Sequence, residues 1–203
     1  MSGKAAGRGP ARAAPKSRPV RADVQRNTVA LLEAALAVFA TSGVDAPVRE
    51  IAAKAGVGVA TVYRHFPQRA DLVAAVFRHE VDACADAAPA LAAAHPPGEA
   101  LARWLQRYAA FVATKRGLAT ALHSGDSAFD CLPAYFSGRL LPALRSLLDA
   151  AAASGEVRAD IAPDELLSAV AGLCMQAPGD KPGHARRMVA LLVDGLRHGA
   201  SRR

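Results

Sequence analysis

The chain has 203 residues, 52% of them hydrophobic but only 5% aromatic, and a formal net charge of +7. That length holds a small module and a larger second domain but little more, and no run reaches the ~20 apolar residues of a membrane-spanning helix. Alanine and leucine dominate while strand-favouring β-branched and aromatic residues are sparse, so an all-α fold is expected. Cys84, Cys131 and Cys174 are far apart, with no CxxC or Cys/His ligand spacing. An odd cysteine count without an apolar leader fits a reducing cytoplasm, with neither a metal nor a cofactor expected.

Residues 1–22 are rich in Gly, Pro, Ala and basic side chains and lack hydrophobic periodicity, so they are expected to be disordered without a partner. Between Met1 and Arg26 stand Lys4, Arg8, Arg12, Lys16, Arg18, Arg21 and Arg26, opposed only by Asp23, so almost all of the net charge lies here. From Val24 the apolar residues Leu31, Leu32, Ala35, Leu36 and Phe39 recur at helical spacing as far as Ser42, and Gly43 ends the helix.

The segment from Val48 to Leu72, VREIAAKAGVGVATVYRHFPQRADL, carries the most specific pattern. Val48, Ile51, Ala52 and Ala55 form one face of a short helix, and Gly56 stands where a helix C-terminus takes a left-handed residue. Val59, Val62 and Phe66 restart helical spacing, leaving Thr61, Tyr63, Arg64 and His65 on or near the other side. Two short helices about a glycine turn, the second carrying hydrogen-bonding side chains, are the arrangement of a DNA-binding helix-turn-helix.

Ile51, Ala52, Ala55, Gly56, Val57, Thr61, Val62, Tyr63, His65, Phe66, Arg69 and Leu72 together resemble the DNA-binding signature of the TetR family of bacterial transcriptional regulators. The resemblance is sharp over the N-terminal quarter and architectural beyond it. It implies a three-helix DNA-binding domain over residues 23–70 and a helical ligand-sensing and dimerisation domain over 71–203. Thr61 and Tyr63 resemble the family's phosphate-anchoring hydroxyls, and Val59, Ala60 and Arg64 would face the groove. Arg49 occupies a position from which some members reach a base edge, Arg26 one that contacts phosphate, and His65 lies near the backbone. Arg69 replaces the family's usual lysine as a cation near phosphate. Pro47 stands where the family usually has a capping Ser or Thr, while Glu50, the reciprocal half of a capping box, is present. The basic tail beside this motif is expected to make phosphate or minor-groove contact.

Downstream, Pro67 breaks the third helix, and Asp71 favours the start of a fourth that carries Leu72, Val73, Val76, Phe77 and Val81 to about Ala88. Pro89–Gly98 is read as a loop. Leu101, Trp104, Leu105, Tyr108, Phe111 and Val112 make Glu99–Lys115 the clearest amphipathic helix. A shorter helix over Gly117–His123 precedes one over Ala134–Ser154, in which Pro142 is expected to introduce a kink. Another helix runs through Leu166, Val170 and Leu173, and the last spans His184 to about Gly199. The last helix reads as apolar around most of its circumference and so needs cover on two sides.

In the family such helices line a ligand cavity, for which Phe77, Trp104, Tyr108, Phe111, His123, Tyr135 and Met175 are the candidates, ordinary core packing being the competing reading. The last two helices resemble the pair that forms the family's four-helix dimer interface, with Val170, Leu173, Met188, Leu192 and Leu196 as candidates. An enzyme finds little support, with no GxSxG, P-loop, GxGxxG or HExxH pattern, and His79-Glu80 and His123 with Asp126 are its nearest approaches. A cysteine redox sensor is a third reading, for which the sequence places no cation beside a thiol. The expected protein is therefore a cytoplasmic homodimeric regulator, most simply a repressor. Its partners would be a near-palindromic double-stranded DNA operator, a second copy of itself and a small apolar or amphipathic effector.

Overall fold

The computed structural model describes residues 18–115, 118–122, 124–174 and 183–198, with backbone alone at 18–25, 114–115 and 119–120. The described residues form helices joined by short turns and contain no strand, the all-α architecture expected from the composition. In chain order these are α1 (Arg18–Ser42), α2 (Val48–Ala55), α3 (Val59–His65), α4 (Arg69–Ala85), α5 (Ala87–Ala94), α6 (Pro97–Lys115) and α7 (Ala119–Leu122). A 3-10 turn (Ser127–Phe129) then leads to α8 (Leu132–Ala153), α9 (Pro163–Leu173) and α10 (His184–His198).

The first helix begins at Arg18, ahead of Val24, so residues 18–22 of the expected disordered tail are helical and residues 1–17 lie outside the described set. Leu31, Ala35 and Phe39 of α1, Ile51 and Ala52 of α2, and Val62 of α3 form one buried cluster with Leu72 and Val73 of α4. This cluster places the two short helices against the long ones. Alone, each is too short to be stable in water.

The expected loop at Pro89–Gly98 is overturned, because α5 occupies most of it. Pro89 lies in the first turn of that helix, where the amides have no intrahelical acceptor, so the missing N–H costs little. The flanking alanines supply the strongest helix propensity available. α8 runs on through Pro142 as one helix of 22 residues.

α6 is the central helix of the second domain, with Leu101, Trp104, Leu105 and Tyr108 fully enclosed and contacts to α4, α5, α8, α9 and α10. Its side chains also complete the end of α4. The Trp104 Nε1–H donates to the Cys84 carbonyl at 2.9 Å, and Arg107 Nε donates to that of Ala83 at 3.1 Å. The last carbonyls of a helix have no donor within it, so these two bonds satisfy them while tying α6 to α4. At the start of α6 the Gly98 N–H donates to Glu156 Oε2 at 3.2 Å. A Cβ on Gly98 would come within 2.6 Å of that same oxygen, so a side chain there would displace the Glu156 carboxylate.

The last helix corrects another expectation. α10 turns Val189, Val193 and Leu196 inward and leaves Arg186, Arg187, Asp194 and Arg197 exposed, so it is amphipathic rather than apolar all round. One large apolar side chain, Leu191, still stands 65% exposed.

Candidate nucleic-acid interface

Helix α2 ends at Gly56, whose φ of 68° is the left-handed conformation that a side chain would strain. The Val57 N–H returns to the Ala52 carbonyl at 3.0 Å, closing the turn. The N-cap of α2 is Pro47, and it makes no side-chain cap. The reciprocal capping role read for Glu50 is not available either, because that bond needs an N-cap N–H and proline has none. Asp71 serves α4 instead, its Oδ2 accepting from the Gln68 N–H at 3.1 Å.

Within α3 the side chains divide by face. Val62 is 1% exposed and Phe66, just past the helix, packs half-buried on the core. Val59, which spacing alone groups with them, is 40% exposed, and Tyr63 one turn on is 52% exposed. These two stand at i and i+4 on the outer face. Ala60, Arg64 and His65 are also exposed, and Thr61 is half-buried. Arg64 folds back along its own helix, with Nη2 donating to Thr61 Oγ1 at 2.8 Å and Nε to the Ala60 carbonyl at 3.3 Å. The exposed Arg49 projects from α2, and with Val59 and Tyr63 it borders a shallow depression of about 550 Å³ between α2, α3 and the start of α4. Arg26 is exposed on α1.

Arg69 is more deeply engaged than its reading as a phosphate contact implies. Its Nη2 donates to the Ala46 carbonyl and its guanidinium lies 5.9 Å above the Phe39 ring. It therefore pins the α1–α2 connection to the start of α4, with its other terminal nitrogen, Nη1, buried and unbonded among the described residues.

The ligand candidates separate. Trp104, Tyr108 and Phe111 are core, stacked with ring centroids 5.8 and 6.1 Å apart, and burial pushes the Tyr108 phenol well above its ordinary range. Phe77 closes on Phe111 at 5.8 Å and also borders a cavity of about 320 Å³ between α4 and α8. Tyr135 turns away from that cavity and donates to Asp82 at 2.7 Å. His123 and Met175 lie outside the described residues. Phe129, Leu132 and Phe136, which also line the cavity, were missed by sequence reasoning. Phe129 and Leu132 flank the turn into α8, where periodicity gives no direction, whereas Phe136 lies one turn inside that helix.

Of the dimer candidates, Val170 and Leu196 are buried by the chain's own core, which withdraws them from an intersubunit face. Ile161, Leu173, Met188 and Leu192 are half-buried beside the exposed Leu191, along a groove of about 440 Å³. Among the described residues no group of His, Cys, Asp and Glu is arranged to hold a metal ion, and no helix is long and apolar enough to cross a membrane.

Comparison with known proteins covers both halves of the chain. Residues 31–76 match the family described as bacterial regulatory proteins, tetR family, and residues 96–198 match the C-terminal domain of SbtR-like transcriptional regulators. A TetR transcriptional regulator from Streptomyces coelicolor is 38% identical, with a TM-score of 0.72, over 83% of this chain and 97% of that one. A TetR regulatory protein from Mycobacterium vanbaalenii is 37% identical, with a TM-score of 0.67, over 88% and 99%. The HTH-type transcriptional repressor LfrR of Mycolicibacterium smegmatis is 45% identical over 58 residues, a match spanning 29% of this chain and 30% of that repressor. The Bacillus subtilis regulator FadR, solved with stearoyl-CoA, shares the fold at 17% identity and a TM-score of 0.61, over 85% and 98%.

Proposed function

The chain belongs to the TetR family of transcriptional regulators, DNA-binding proteins rather than enzymes, and on that premise we propose that it is a homodimeric, ligand-relieved repressor acting in the cytoplasm. The observation that carries the DNA-binding half is the division of α3. Val62 is locked into the core while Val59 and Tyr63, four residues apart, are held out to solvent beside Arg49 and Arg64. A helix that fixes one side so firmly and presents apolar groups with a hydroxyl on the other is suited to the major groove. There the apolar groups meet thymine methyls and the hydroxyl reaches phosphate. Arg64 would exchange its bonds to Thr61 and Ala60 for DNA contacts, freeing the Thr61 hydroxyl as well.

A dimer places two such helices about one helical turn of DNA apart, so the operator would be near-palindromic. The apolar strip of Leu173, Met188, Leu191 and Leu192 supports self-association. Repression is the simplest reading, and the name of the Mycolicibacterium relative supports it. Relief would come from a ligand in the second domain that favours a DNA-incompetent position of α4. Such a ligand must prefer that state by roughly 1–3 kcal/mol to matter.

The test is selection of genomic fragments by the purified protein, followed by fluorescence anisotropy on the enriched site. A palindromic site bound with nanomolar-range affinity that weakens steeply with salt is the expected result. Enrichment of no sequence, with binding equal to that of random DNA, would overturn the assignment.

A further inference from the structure

The two ends of α2 are finished differently. Its C-terminus is closed by the left-handed Gly56 and the return bond from Val57. Its N-terminus begins at Pro47, which is exposed and provides no side-chain cap. A helix of eight residues is marginal by itself, so its direction depends on what holds its ends. Arg49, the exposed arginine of α2, stands in this uncapped first turn and is aimed by whatever fixes it.

The fixing group comes from another helix. Arg69, the first residue of α4, donates from Nη2 to the Ala46 carbonyl. That carbonyl belongs to the planar peptide unit joining Ala46 to Pro47, so a donor held on it sets the plane from which α2 departs. The donor is itself held, because the guanidinium lies 5.9 Å from the centroid of Phe39, a ring of α1 that is 2% exposed. Arg69 thus joins α1, the α1–α2 connection and α4 through one side chain. With Nη2 engaged and Nη1 buried, neither terminal nitrogen is offered outward to a phosphate.

We propose that Arg69 is a positioning residue, which replaces the missing cap of α2 and thereby aims Arg49, rather than a phosphate contact. Its effect on DNA rests on the reading of this face as the DNA reader, whereas its hold on α2 does not. A guanidinium suits the task because it is planar, stacks on a ring and keeps a donor in a fixed direction. A lysine keeps the charge but has a single rotating ammonium on a flexible stem. Serine at position 47 would restore both halves of the capping box, since it brings a hydroxyl for the Glu50 N–H and an N–H for the Glu50 carboxylate.

The experiment compares wild type, Arg69→Lys, Pro47→Ser and the double variant on the selected operator and on random DNA, across a salt series. Arg69→Lys should weaken operator binding about fivefold or more, with random-DNA affinity and the salt slope unchanged. In the Pro47→Ser background the same change should cost less than about twofold; any phosphate contact that the new hydroxyl adds is common to both arms and cancels. Wild-type operator affinity in Arg69→Lys, an equal loss on random DNA, or a loss undiminished by Pro47→Ser would each overturn the proposal. So would Arg69→Met lowering the salt slope by about 0.9 per protomer, the mark of a lost phosphate contact. Hydrogen exchange without DNA separates the two readings. Faster exchange of α2 amides in Arg69→Lys, with α6 unchanged, upholds the hold on α2 even if wild type fails to distinguish operator from random DNA. Unchanged exchange in α2 overturns it.

Discussion

At the scale of single residues, burial separates side chains that the sequence presents alike. Tyr63, Tyr108 and Tyr135 are the three tyrosines, and the structure makes one an exposed hydroxyl, one a core ring and one a bond to Asp82. Removing the exposed hydroxyl with Tyr63→Phe should weaken binding to all DNA sequences by about 0.5–1.5 kcal/mol, with the fold intact by circular dichroism. Arg49→Ala should cost ~1–3 kcal/mol on the selected operator and relax its base preference, measured by anisotropy on a set of single-base operator variants. The cysteines divide in the same way. Burial pushes the Cys84 thiol up to about 12 and Cys174 is enclosed, whereas Cys131 is exposed. A thiol reagent at pH 8 should therefore titrate one cysteine per native chain and all three in denaturant. The redox reading finds a cation beside Cys131 in Arg78, a neighbour 53 positions away that sequence inspection did not reach.

At the scale of elements, α4 joins the reader to the second domain and carries the least comfortable charge among its described residues. Half-burial raises the Glu80 carboxyl above its ordinary value of 4.5, with Glu33 of α1 adding to the rise and His79 and Arg107 opposing it. A carboxyl whose folded-state pKa is raised binds its proton more tightly in the folded protein. Its contribution is thus favourable at low pH and is lost as pH climbs above 4.5 through the raised value. Glu80→Gln should accordingly raise the melting temperature at neutral pH, with the gain shrinking as pH falls toward 4.5. A gain independent of pH would assign it to something other than the charge. Other elements show why periodicity alone misplaced boundaries. α5 was hidden because Pro89 reads as a breaker, yet in a first turn it breaks nothing. Glu50 reads as half of a capping box until its partner is seen to be an imino acid.

At the scale of the whole molecule, Leu191 exposes 65% of its surface on a helix whose other large apolar residues are buried or half-buried. With Met188 and Leu192 it forms the strip expected to meet a second copy. Leu191→Glu should convert a sedimenting dimer into a monomer at micromolar concentration and reduce operator affinity, while Val170, fully enclosed, would report only on folding. Removal of residues 1–17, which carry Lys4, Arg8, Arg12 and Lys16, should flatten the salt dependence of operator binding. The slope falls by about 0.9 for every phosphate that the tail would otherwise neutralise.

The sequence by itself determined the all-α class, the position of the helix-turn-helix and its family. Those rest on local quantities: helix propensity, a 3.6-residue period, a left-handed glycine and a dense motif in one short window. Only the tertiary structure decided that Arg69 stacks on Phe39, that Trp104 and Tyr108 are core rather than cavity, and that Val170 and Leu196 belong to their own chain. The reason is physical. A helix's period says which residues share a face, but which neighbour covers that face depends on contacts between residues tens of positions apart. Asp82 and Arg139, 57 residues apart, meet only because α4 and α8 pack side by side.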